Sequence, residues 1–172
     1  MAAENRRKKL PKTESLTIRL DPKMRFALEF VARLKGQTIT KVIERAIADA
    51  ADNTRVFSEN NYSDNSTWRS YWDVNEGIRF IKLTMDEATD PSFEDEETLV
   101  FIKQHWRYFS NDERLIDLKR DYIEVLWPLI PSIMEEWREV KSTNRPCIIS
   151  RMEDALLEAG LPSMIPDEEI PF

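Results

Sequence analysis

The stretch Ser15-Leu16-Thr17-Ile18-Arg19-Leu20-Asp21-Pro22 decides the fold. Its first six residues alternate polar and apolar, the pattern of a strand with one buried face. Asp21 and Pro22 close that strand and open a helix, because Asp caps well and proline fits a first turn. The spacing predicts a helix over 23–35, with Met24, Ala27, Leu28, Val31 and Leu34 as its apolar stripe. Gly36 stands where a helix end takes a left-handed residue. Thr38 reads as the cap of a second helix, whose inner face is Ile39, Val42, Ile43, Ala46, Ile47 and Ala50.

One short strand and two helices are too small to fold alone, since domains below about 40 residues need cross-links or oligomerisation. An isolated strand would also leave its backbone donors and acceptors bare. A twofold dimer answers both demands by pairing two strands antiparallel over four helices. Leu16, Ile18 and Leu20 then join Leu28, Val31, Val42, Ile43 and Ala46 in a dimer core. Ser15, Thr17 and Arg19 stand together on the outer face, and a two-stranded ribbon fits the major groove of B-DNA.

Leu16-Thr17-Ile18-Arg19-Leu20-Asp21-Pro22, a helix, Gly36-Gln37-Thr38-Ile39-Thr40 and a second helix follow one another in the order of a known family. The segment 13–52, just under a quarter of the chain, resembles the ribbon-helix-helix (Arc/MetJ/CopG-type) DNA-binding proteins. The resemblance implies that Ser15, Thr17 and Arg19 touch bases. It also implies that Thr38, Ile39, Thr40 and Lys41, at the start of the second helix, hold a DNA phosphate. Physical chemistry agrees: an arginine donates twice to guanine O6 and N7, and a helix N-terminus offers free N–H groups and partial positive charge.

Charge divides the chain in the same way. Residues 1–55 carry 13 Lys and Arg against 7 Asp and Glu, a net of +6. Residues 56–172 carry 12 against 25, a net of −13, which DNA would repel. Residues 1–12 read as a flexible basic arm in which Arg6, Arg7, Lys8, Lys9 and Lys12 supply phosphate contacts or reach into a minor groove. Residues 53–70, crowded with Asn, Ser, Asp and Thr, read as a linker, with Trp68, Tyr71 and Trp72 anchoring its end.

Residues 71–172 read as an acidic, all-α domain. Asp73-x-x-Glu76 resembles a capping box for a helix carrying Val74, Ile78, Ile81, Met85 and Ala88 and closed by Asp90-Pro91. Leu99, Ile102, Trp106 and Phe109 mark the next helix. Ser110-x-x-Glu113 caps a third, with Leu115, Leu118, Tyr122 and Val125 or Leu126 inward. Pro128 and Pro131 break the chain, Ser132-x-x-Glu135 restarts it, and a last helix runs over about 151–159. The expected fold class is therefore mainly α: an N-terminal ribbon-helix-helix, with one intermolecular β-strand and two helices, followed by an all-α C-terminal domain.

The composition excludes several functions. No apolar run approaches the roughly 20 residues of a membrane span, and no secretory signal follows the charged start. One cysteine (Cys147) and one histidine (His105) leave no internal disulfide and put most zinc sites and His-based catalysis out of reach. Cys147 reads as a buried small hydrophobe. The acidic runs Glu94-Asp95-Glu96-Glu97 and Glu135-Glu136 read as solvated, helix-dipole-favouring charges. Phe26 and Phe30, off the main helical stripe, read as packing against the dimer core or the acidic body.

The expectation is a cytoplasmic, dimeric, sequence-specific transcriptional regulator of double-stranded DNA, forming higher oligomers on DNA if dimers pair. It uses no cofactor or metal, contacts no membrane and catalyses no reaction. Two alternatives stand beside it. One is an antitoxin-like protein whose residues 71–172 neutralise a protein partner; the other is a plasmid or mobile-element accessory that organises DNA.

Overall fold

Asp21 starts the first helix as its sequence demands. Its carboxylate accepts the Met24 N–H at 2.9 Å, and Pro22 occupies the first turn of α1 (Pro22–Lys35). Gly36 ends the helix in the left-handed region, at φ 59°, with its N–H returning to the Arg33 carbonyl. Thr38 then caps α2 (Ile39–Asn53), its hydroxyl accepting from Lys41 N–H at 3.2 Å. The computed structural model describes residues 17–56, 66–140 and 145–163. It divides the chain into two compact units, residues 1–55 and 56–172.

The protein is mainly helical, and among the described residues two isolated bridges are the only β-type pairing, Val56 with Ser66 and Ser110 with Leu118. Thr17–Leu20 forms no strand within the single chain. The expected strand is therefore not formed by the described residues of this segment. Ser15, Leu16 and the arm residues Arg6, Arg7, Lys8, Lys9 and Lys12 lie outside the described residues.

In the second unit, α3 (Trp68–Tyr71) overlaps the end of the segment expected to be linker, 53–70. Of the three aromatic anchors, only Tyr71 is buried. Its hydroxyl donates to Asp86 at 2.6 Å, and burial followed by that bond pushes the phenol up to about 12. Trp68 and Trp72 stay exposed, each beneath an arginine, Arg69 and Arg79. The expected Asp73–Glu76 box is not formed. Asn75 caps α4 (Glu76–Thr84) through Ile78 N–H, because Asp73 is committed to a two-pronged bond with Arg120. α4 ends at Thr84, short of Asp90, so Ile78 and Ile81 enter the core whereas Val74, Met85 and Ala88 face solvent.

Ser92 and Asp95 make a reciprocal capping box for α5 (Phe93–Gln104), with Glu94, Asp95 and Glu96 in its first turn, where the helix dipole favours them. Trp106 and Phe109 lie beyond this helix, in and after a 3₁₀ turn at Trp106–Tyr108. The helix expected to start at Ser110 is absent. Asp112 instead accepts from the backbone N–H groups of Arg114, Ile116 and Asp117, and Leu115 is left-handed at φ 58°. A carboxylate that gathers local N–H groups competes directly with helix formation. The helix proper, α6 (Arg120–Leu126), starts only afterwards.

Pro128 and Pro131 do not break the chain. Pro128 sits in a 3₁₀ turn, Trp127–Leu129, and Pro131 lies in the first turn of α7 (Ile130–Val140), where no N–H is required of it. Ser132 is not a cap, since its hydroxyl donates to the Leu129 carbonyl and accepts from Arg151. α8 (Arg145–Glu158) starts about two turns before the expected position, with Pro146 accommodated in its first turn. These helices enclose one core around Phe101, whose ring meets Phe109 and Trp137 edge-on at 6.5 and 5.9 Å.

Candidate nucleic-acid interface

Ile18 and Leu20 line a groove of about 330 Å³ together with Leu28 of α1 and Ile39 and Ile43 of α2. Two residues apart, they share one side of the segment, so period-two alternation sends Thr17 and Arg19 to the other side, and both are exposed. Within the first unit the helices are amphipathic, yet almost nothing is covered. Among the described residues of 17–55, Ala32 alone is buried. Val31 and Val42 are half-buried beside Leu28 and Ile43, and Ala46 is exposed. Of the expected dimer-core residues, Ile18, Leu20, Leu28 and Ile43 therefore line this groove.

The amino end of α2 holds Thr38, Ile39, Thr40 and Lys41, and no acidic residue lies in its first turn. The Lys41 N–H is occupied by the Thr38 hydroxyl, so the open donors there are the N–H groups of Ile39 and Thr40. Two of the expected phosphate ligands have further commitments. The Ile39 side chain belongs to the apolar groove, and the Lys41 ammonium pairs with Glu44 at 3.1 Å on the exposed face. Gln37, which sequence reasoning passed over, precedes the cap with its Oε1 buried and accepting no hydrogen bond. Its position one residue before Thr38 was the available signal.

In the second unit Cys147 is exposed, not buried, because it lies in the first turns of α8. Its thiol donates to Glu136 at 2.9 Å, and that bond, with the adjacent negative charge, raises the thiol pKa. Arg151 holds the other oxygen of Glu136 at 3.1 Å, and Arg138 holds Glu97 at 2.8 Å. The His105 ring lies against Phe101, centroids 4.7 Å apart and planes tilted by 48°. Buried Glu153 receives the Tyr108 hydroxyl, and burial followed by this bond raises that phenol strongly. Among the described residues no group of three or more His, Cys, Asp or Glu side chains is placed to hold a metal, and no helix is long and apolar enough to cross a membrane. No family model, curated protein or solved structure matches the chain.

Proposed function

We propose that the first unit is half of a ribbon-helix-helix dimer that binds double-stranded DNA in a sequence-specific manner and regulates transcription. Two copies would pair their Ser15–Leu20 segments antiparallel, close their grooves against each other, and present Ser15, Thr17 and Arg19 to base edges. The N-termini of the two α2 helices would each receive a phosphate.

The observation that carries this reading is the open apolar side of the unit. Ile18, Leu20, Ile39 and Ile47 are 44–56% exposed in a segment with one buried residue. Apolar surface of that extent supports a partner, and the twofold ribbon is the arrangement that would also pair the backbone of the Ser15–Leu20 segment. The net +6 of residues 1–55 supports DNA as the ligand.

The test is selection of bound duplexes from a random library by the full-length chain. The expected product is a motif of two half-sites related by a twofold axis. Enrichment without any shared motif refutes sequence-specific reading and leaves the DNA-organising alternative. The antitoxin-like reading draws support from Phe93 and Ile116 on the acidic unit, 78 and 76% exposed. It predicts a co-encoded partner whose binding is lost on Phe93→Asp or Ile116→Asp.

A further inference from the structure

Several cations of the acidic unit are answered by carboxylates: Lys82 and Arg120 by Asp73, Arg138 by Glu97, Arg151 by Glu136. Arg107 is different. Among the described residues no carboxylate pairs with it, and its exposed guanidinium lies 5.2 Å from the centre of the Trp106 ring. Lys119 is fixed beside it. The Lys119 ammonium donates to the Arg107 carbonyl at 2.8 Å and lies 5.1 Å from the centre of the Tyr122 ring. Two cations laid on two aromatic rings make a positive patch on a body of net −13. Such a patch suits a chain that brings both carboxylates and apolar side chains.

The protein leads a segment of that chemistry to the patch. Leu161 packs against the core, and the Tyr122 hydroxyl donates to the Pro162 carbonyl at 3.0 Å. One tyrosine ring therefore separates the Lys119 ammonium from the place where residues 164–172 begin. Their sequence is Met164-Ile165-Pro166-Asp167-Glu168-Glu169-Ile170-Pro171-Phe172, three consecutive carboxylates between apolar residues. Asp167 is four residues beyond Ser163, an extended reach of about 13 Å, enough to bring the acidic run over Lys119 and Arg107. Over most of this unit the same run would meet charge of its own sign. An exposed ion pair is weak alone, but so short a tether holds the carboxylates at about millimolar effective concentration, ahead of a free acidic partner.

We propose that residues 164–172 of the same chain occupy the Arg107–Lys119 patch, with Asp167, Glu168 and Glu169 paired to the two cations. The segment then straps the end of α8 to α6 and to the Trp106–Tyr108 turn, independently of what the first unit binds.

Paramagnetic relaxation in the full chain tests this. A nitroxide is attached at Ile170→Cys in a Cys147→Ser background, and amide broadening is read at Arg107, Lys119 and Tyr122. Broadening is expected at low salt, falling several-fold at about 1 M salt, where the Debye length is about 3 Å. The triple variant Asp167→Lys, Glu168→Lys, Glu169→Lys should lower it as far, and so should Arg107→Glu, with helicity unchanged in both. Absent broadening overturns the proposal. So does broadening that neither salt nor either variant changes, since a tether alone would produce it. Spin-labelled chains mixed with isotope-labelled chains that lack the nitroxide identify the source. Broadening in that mixture assigns the patch to the segment of a second copy and overturns the strap within one chain.

Discussion

Asp73→Asn removes one charge from a contact that joins residues 47 positions apart. Each Asp73 oxygen lies 2.7 Å from an Arg120 nitrogen, Asn75 N–H donates to the same carboxylate at 2.9 Å, and Lys82 stands 3.9 Å away. The Arg120 bonds are the chief reason the carboxyl is held at about 2, against an ordinary 3.8. At about 1.36 kcal/mol per pH unit that gap is worth roughly 2.5 kcal/mol. Arg120 is 44% exposed, and solvent screening lowers the expectation to about 1–1.5 kcal/mol. Folding depresses this pKa, so the stabilisation is complete above 3.8 and is lost as pH falls toward about 2. All five tryptophans lie between Trp68 and Trp137, so urea denaturation followed by their fluorescence reports the second unit alone. A cycle of Asp73→Asn, Arg120→Gln and the double variant at neutral pH should return a coupling of about 1–1.5 kcal/mol. Asp73→Asn should also lose less stability than wild type on acidification. A coupling near zero, or parallel acid profiles, would refute the assignment.

Gly77→Ala should destabilise the second unit by about 1–2 kcal/mol in the same assay. The added Cβ meets Ile123 Cγ2 at 2.6 Å and the Trp127 ring at 2.8 Å, an overpacking cost of about 1–3 kcal/mol, partly offset by a stiffer unfolded chain. Arg19→Ala should cost about 1–3 kcal/mol per specific base contact on a selected duplex while leaving the dimer folded, and an equal loss on random duplexes would contradict base reading. Deleting residues 1–12 should flatten the salt dependence of DNA binding by about 0.9 in log–log slope per lost phosphate contact, so an unchanged slope removes the arm from the interface. Glu136→Gln should speed alkylation of exposed Cys147 near neutral pH. The bond and charge that raise the thiol pKa are then weakened, and more thiolate is present.

Local signals were read correctly at the ends of the first two helices. Asp21, Gly36 and Thr38 set α1 and α2 through bonds to residues at most four positions away, and those bonds are present. The Ser110-x-x-Glu113 pattern misled because it is shared by helix caps and by loops. What separates them is the Asp112 carboxylate, which outcompetes the helix for N–H groups. Asp73 was misassigned for a different reason, since its partner Arg120 is remote in sequence and no spacing rule connects them. Cys147 was misread as buried because the start of α8 was placed too late. As for the ribbon, the alternation in 15–20 is legible, yet 17–20 carries no strand and residues 15 and 16 lie outside the described residues. Lys41 and Ile39 were legible as positions, not as side chains already engaged by Glu44 and by the groove.

The unequal covering of the two units makes them respond differently to abundance. Residues 56–172 close a core of their own, so that half persists folded at any dilution. Residues 17–55 bury one side chain unaided, so under the proposed dimer they would hold their shape only while copies meet. On that proposal, scarcity would dissolve the basic half first and leave the acidic half intact, and the quantity of protein would itself act as a signal.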